Sequence, residues 1–104
     1  MKTPLVSISC ITFNHALFID QCMEGLLAQK TNFQYEIIIY DDHSTDGTIE
    51  ILHGYVAKYP DLISIRIAEE NQYSKGVRGI AYRFNFPRST GKYIAFCEGD
   101  DFWT

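Results

Sequence analysis

The run Glu36-Ile37-Ile38-Ile39-Tyr40 constrains this chain more than any other segment. Three consecutive β-branched residues leave no polar face, which is the pattern of a strand buried on both sides of a parallel sheet. Parallel strands are joined by crossovers, usually helical, so segments of helical period are needed around this run.

The sequence supplies them. Leu5 to Thr12 reads as a strand, with a polar break at Asn14-His15. From Phe18 the period changes: Phe18, Ile19, Cys22, Met23, Leu26 and Leu27 fall on one helix face. After the central run and the polar stretch Asp41 to Gly47, Ile49, Leu52, Val56 and Tyr59 fit a second helix that Pro60 ends. Ser44, Thr45 or Asp46 is expected to cap it, and Asp46 also suits the positive end of its dipole. Ile63, Ile65 and Ile67 alternate with Ser64, Arg66 and Ala68, a period of two and hence a third strand. A helical stretch is expected over about Val77 to Phe86, broken near Pro87, and Tyr93 to Cys97 forms the fourth strand. The sum is an α/β chain with a mostly parallel sheet and helices on both faces.

Composition narrows the classes. At 104 residues the chain is one domain's worth of sequence, and 46% hydrophobic residues suffice for a core. No apolar run reaches the ~20 residues of a membrane span. No signal peptide is read at Met1-Lys2-Thr3-Pro4-Leu5, and the expected location is cytoplasmic. Cys10, Cys22 and Cys97 sit in apolar segments without metal-type spacing, and read as buried reduced thiols. A net charge of −4 argues against a nucleic-acid partner. The charge is nevertheless segregated. Asn71 to Lys92 carries Lys75, Arg78, Arg83, Arg88 and Lys92 with no acidic residue, while acid concentrates at Asp41, Asp42 and Asp46 and at Glu98, Asp100 and Asp101.

Topology gives those clusters a place. Ligands of open parallel sheets bind outside the carboxyl ends of the strands. Asp41-Asp42 follows the second strand, Asp100-Asp101 the fourth, and Thr12-Phe13-Asn14 closes the first, so all three groups belong on one edge. Carboxylates gathered on a rim repel one another unless a cation or polar ligand compensates them. Hard carboxylate oxygens suit Mg²⁺ or Mn²⁺, completed by phosphate oxygens and water. Asp41 or Asp42 suits a base N–H or a ribose hydroxyl, Thr12 a hydroxyl contact and Phe13 a stacking face. Lys75, Arg78 and Arg83 are candidates for a diphosphate, and His15 and His43 lie on the same rim, whereas His53 reads as a helix-surface residue. Neither a dinucleotide-binding Gly-x-Gly-x-x-Gly after the first strand nor a P-loop is present.

The segments Pro4 to Ile8, Thr12-Phe13-Asn14, Tyr35 to Thr48 and Gly91 to Asp101, in this order, resemble the family 2 glycosyltransferases of GT-A fold. The resemblance implies a Rossmann-like half-domain with strand order 3-2-1-4 that binds a nucleotide sugar. It places Thr12, Phe13 and Asn14 on the nucleotide, Asp42 on the base with Asp41 beside it, and the DXD-like motif on Glu98-Gly99-Asp100-Asp101. Asp101 is then the direct ligand of Mg²⁺ or Mn²⁺, and Asp100 serves the ribose or the metal shell. Ile11 stands where the family usually has Pro, and Phe13 where it has Tyr, which removes a hydroxyl.

The implied reaction moves a sugar from a nucleotide diphosphate donor to a glycan or lipid-linked acceptor hydroxyl with inversion, in surface glycan or polysaccharide biosynthesis. The resemblance puts the catalytic base in the acceptor-binding half, after the metal motif, so these 104 residues are expected to bind donor and to be inactive alone. The full-length protein is expected at the inner face of the membrane. The alternative is a non-catalytic nucleotide-binding or dimerisation module, and an exposed sheet edge favours a homodimer. A phosphoacceptor receiver domain needs its acidic pair after the first strand, where Thr12-Phe13-Asn14 has none.

Overall fold

The computed structural model describes residues 4, 6–28, 34–72, 75–76, 85–91 and 93–98. Their elements are β1 (Val6–Thr12), α1 (Ile19–Leu27), β2 (Tyr35–Asp41), α2 (Thr48–Lys58), β3 (Ile63–Ile67), a 3₁₀ turn (Phe86–Arg88) and β4 (Tyr93–Glu98). The four strands form one all-parallel sheet in the order β3-β2-β1-β4. The register sets Thr12 beside Asp41, Asp41 beside Ile67, and Ile11 beside Glu98. Parallel pairing therefore brings the carboxyl ends of all four strands to one edge.

The core explains the sequence pattern. Ile8 and Cys10 of β1, Ile37 and Ile39 of β2, Ile63 of β3 and Cys97 of β4 pack with Ile19, Cys22, Met23 and Leu26 of α1 and Leu52 of α2. Burying each large aliphatic side chain stabilises by about 1.5–3 kcal/mol, and this contact holds α1, too short to be stable alone. On the other face, Ile38 and Tyr40 are also buried. There Asn85 donates from Nδ2 to Ser9 Oγ (3.0 Å), and Arg88 donates from Nη2 to the Ile39 carbonyl (2.8 Å). The isoleucine run is thus covered on both sides. In β3 Ser64 and Arg66 instead face outward, as the period of two requires.

One local expectation differs from the structure, and another falls largely outside the described residues. The N-cap of α2 is Gly47, with φ of 100°, and none of Ser44, Thr45 and Asp46 occupies that position. Asp46 still serves the helix end from one residue earlier: Oδ1 accepts from the Thr48 N–H (3.1 Å) and hydroxyl (2.6 Å). A turn at positive φ is what lets the aspartate reach back, and glycine takes that conformation without Cβ strain. The expected helix over Val77 to Phe86 lies outside the described residues except for its last two positions. Pro87 falls inside the 3₁₀ turn, whose single short turn tolerates the missing N–H.

At the opposite edge, Glu36 ties β1 and β2 to the segment entering β4. Its Oε2 accepts from the Ser7 hydroxyl and from the N–H (2.7 Å) and hydroxyl (3.0 Å) of Thr90. Gly91 donates its N–H to Ser7 Oγ (2.8 Å). No helix among the described residues is long and apolar enough to cross a membrane.

Candidate functional site

The site is built on the loops that leave β1 and β2. The ladder continues past the strands, since the Asp42 N–H donates to the Thr12 carbonyl and the Ala68 N–H to the Asp41 carbonyl, each at 2.9 Å. Beneath the rim Asp41 is fully buried and its carboxylate is engaged on both oxygens. Oδ1 accepts from Thr12 Oγ1 and Ser44 Oγ, each at 2.6 Å, and Oδ2 from the Ser44 N–H at 2.7 Å. A buried carboxylate needs such a set of donors to offset its lost hydration.

The two loops are fastened to each other. Asn14 sits at φ of 52°, a conformation Asn tolerates better than most residues. Its N–H donates to Ser44 Oγ (2.9 Å) and its Oδ1 accepts from the Thr45 N–H (2.8 Å). The N–H groups of His15 and Ala16 donate to Thr48 Oγ1 (3.0 Å) and Asp46 Oδ2 (3.1 Å). Burial acts to raise the Asp46 carboxyl, but the donors from Thr48 and Ala16 outweigh it and hold the group below its usual range. Phe13, carried between these ties, leaves 42% of its surface exposed.

Asp42 is held from the third strand's side. It is 2% exposed; Oδ1 accepts from the Gln72 N–H (2.8 Å), and its main-chain oxygen from Asn71 Nδ2 (3.0 Å). His43, at φ of 65°, places Nδ1 3.1 Å from the Ala68 carbonyl. Alongside runs a groove of about 480 Å³ walled by Tyr40, Arg66, Ala68, Glu70 and Gln72.

The structure thus brings Thr12, Phe13, Asn14, Asp41 and Asp42 together at one edge, with His15 and His43 beside them. Asp100 and Asp101 lie outside the described residues, as do Arg78 and Arg83. Of the basic segment, Lys75 pairs with Glu70 on an exposed turn, and Arg88 lies half-buried across the sheet from the helices. Burial and the nearby Arg66 charge both lower the Arg88 guanidinium's proton affinity. Ser44, Asn71 and Gln72 complete the site. Ser44 was legible as a possible turn partner, three residues after an aspartate; the contacts of Asn71 and Gln72 have no local signal, because they span about 30 residues.

Comparisons with known proteins bear on the family and the fold. The sequence model described as glycosyl transferase family 2 matches residues 7–104. An uncharacterized protein of Mycobacterium tuberculosis is 38% identical over 103 residues, covering 95% of this chain and 28% of that protein. A Bacillus subtilis protein named as the teichuronic acid biosynthesis glycosyltransferase TuaG is 36% identical over 100 residues, covering 96% of this chain and 37% of its own length. The chain therefore spans about a third of the length of these relatives. Among solved structures, a Pyrobaculum calidifontis mannosyltransferase in complex with GDP-Man and Mn²⁺ superposes with a TM-score of 0.79 at 21% identity, over 99% of this chain and 29% of that one. That likeness shows the fold, a Rossmann-like GT-A domain. Taken with the match over nearly the whole sequence, it follows that the chain belongs to glycosyl transferase family 2.

Proposed function

We propose that residues 1–104 form the nucleotide-sugar-binding part of a GT-A glycosyltransferase domain, with the acceptor-binding half in sequence outside them. The observation that carries this reading is the fastening of the β1 loop to the β2 loop at the carboxyl edge of the sheet, through Asn14, Ser44 and Asp41. Phe13 offers the nucleotide an aromatic face there, Asn14 a polar rim, and Asp42 an acceptor for a base N–H that Gln72 and Asn71 hold in place. Thr12 and Asp41, both sealed from solvent, serve as the floor on which those groups stand.

The donor set for a divalent ion is Asp100 and Asp101. Two observations support the fit. β4 runs parallel beside β1 and ends at Glu98, the register partner of Ile11, so the strand closes at the same edge as Thr12 and Asp41. Asp41 is sealed from solvent and its carboxylate already accepts three protein hydrogen bonds, which leaves the hard oxygens after β4 for Mg²⁺ or Mn²⁺. Such an ion supplies charge stabilisation on a departing diphosphate. The residues of this chain bind and orient the donor. In the transfer, an acceptor hydroxyl oxygen bonds to the anomeric carbon as the bond to the diphosphate breaks, with inversion. The hydroxyl proton passes to a carboxylate base in the acceptor-binding half. By itself this part binds donor and does not transfer sugar.

Calorimetric titration of GDP and UDP, with and without Mn²⁺, tests the reading. Binding is expected with the metal, and Asp101→Ala should abolish the metal dependence. Absence of binding by either nucleotide in Mn²⁺, or metal-dependent binding untouched by Asp101→Ala, would refute it.

A further inference from the structure

We propose that Cys10, Cys22 and Cys97 form a three-thiol binding site for a trivalent thiophilic metalloid, of the arsenous acid class, between β1, β4 and α1. The three cysteines are far apart in sequence, yet the fold makes them converge. Cys10 and Cys97 are register partners on adjacent parallel strands, both facing α1, and Cys22 comes down from that helix between them. Their sulfur atoms all lie within 4.8 Å of one another, with Cys22 and Cys97 at 3.4 Å. Three sulfurs bonded at ~2.3 Å to one centre whose lone pair makes the arrangement pyramidal stand roughly 3.5 Å apart, close to the 3.4 Å between Cys22 and Cys97, so small side-chain adjustments close the site.

Charge selects the class of ligand. Cys10 and Cys22 are fully buried and Cys97 is 4% exposed, among Ile8, Met23, Ile37 and Leu26. A net charge in such surroundings is costly. Three thiolates around a divalent ion leave one negative charge; around a trivalent centre they leave none. No other Cys, His, Asp or Glu among the described residues joins the cluster, so a tetrahedral zinc site lacks its fourth ligand. A trivalent metalloid needs only three, its lone pair taking the remaining direction.

The reaction balances without a redox partner. Arsenous acid, As(OH)₃, and three thiols give As(SR)₃ and three waters: three As–O and three S–H bonds break, three As–S bonds form, and each thiol proton leaves in a water. Hydrogen bonds with Cys22 and Cys97, then burial, push the Cys10 thiol's pKa up, so that thiol holds its proton until the metalloid takes its place. Entry requires α1 to lift locally from the sheet. That helix has nine residues and no side-chain hydrogen bond at its N-cap, Phe18, so opening is local and binding slow.

The test titrates sodium arsenite into the purified protein, kept reduced with a phosphine because a dithiol would compete. The readouts are native mass spectrometry and thermal unfolding by circular dichroism. One arsenic per chain is expected, with a mass gain of arsenic less three hydrogens and a raised Tm, since a ligand held by the folded state stabilises it. Cadmium chloride at matched concentration should give a smaller shift. Cys10→Ala, Cys22→Ala and Cys97→Ala, each first shown to fold without ligand, should each weaken binding at least about tenfold. The mass readout on the unaltered protein stands even where a variant does not fold. Loss of fewer than three hydrogens, an unchanged or lowered Tm, or equal stabilisation by cadmium would overturn the proposal.

Discussion

Thr12 Oγ1 donates a 2.6 Å hydrogen bond to Asp41 Oδ1, joining two fully buried residues that are also register partners on β1 and β2. The bond sits at the point where two parallel strands end and their loops turn over the edge. Ser44 adds two donors to the same carboxylate, so one buried charge fixes the course of the second loop. Removing the acceptor strands three donors, and a buried group left unpaired costs about 1–3 kcal/mol. Asp41→Ala is therefore expected to lower unfolding free energy by at least about 2 kcal/mol, and Thr12→Val, which keeps the shape, by about 1 kcal/mol. Urea unfolding followed by circular dichroism measures both. An Asp41→Ala protein as stable as the parent would show that the carboxylate does not organise the edge.

Gly91 meets the backbone of β1 at the other end of the sheet. A Cβ there would lie 2.6 Å from Ser7 N, 2.7 Å from Ser7 Oγ and 2.8 Å from Val6 C. The first and last of these are main-chain atoms of a central strand and cannot swing aside. Gly91→Ala should cost about 1–3 kcal/mol through overpacking and also stretch the bond from its N–H to Ser7. Thermal unfolding checks it; a Tm within a degree of the parent would contradict the close approach.

The layout of the sheet was legible because period and burial agree along β1, β2 and β3. Ile37-Ile38-Ile39 announced burial on both faces, and the structure covers it on both. Helix ends were less legible: the identity of a cap depends on one φ angle, and Gly47 took the position that Ser44, Thr45 and Asp46 were expected to compete for. In the candidate site, Asp41 and Asp42 read alike in sequence, as adjacent acids after a strand. Alternation across the strand separates them, so Asp41 turns under the loop to Thr12 and Ser44 while Asp42 meets Asn71 and Gln72. Ser44 lies within local reach of Asp41, but nothing local encodes Thr12, Asn71 or Gln72 as partners. The cysteines show the same gap, since residues without metal-type spacing meet when adjacent strands and a crossover helix bring their side chains together.

Glu36 gives the fold a defined acid sensitivity. Burial acts to raise its carboxyl, but the Ser7 hydroxyl and the Thr90 and Gly91 donors outweigh this and hold it below the ordinary 4.5. A group whose folded pKa is depressed contributes stability above its unfolded pKa, and that stability is lost as pH falls through the folded one. Asp46 acts with the same sign at the other edge. The Tm difference between the parent and Glu36→Gln should hold steady above about pH 5.5 and shrink as the pH is lowered through 4.5 and below. A difference that is constant down to pH 3 or grows on acidification would remove Glu36 from this role.

Phe13 and Asp42 separate affinity from stability. Phe13 is 42% exposed on a loop fixed by its neighbours, so Phe13→Ala should leave Tm nearly unchanged. Losing a stacking face worth about 0.5–1.5 kcal/mol should weaken nucleoside diphosphate binding about two- to tenfold. Asp42→Asn keeps the size of the side chain and an oxygen for the Gln72 N–H, but turns one acceptor into a donor facing the base N–H. An unmatched charged hydrogen bond is worth about 1.5–3 kcal/mol, so a loss of tenfold or more is expected for GDP and UDP alike. Calorimetry in Mn²⁺ on both variants reads the result. If both bind as the parent does, the base does not sit between Phe13 and Asp42, and the nucleotide lies elsewhere along the edge.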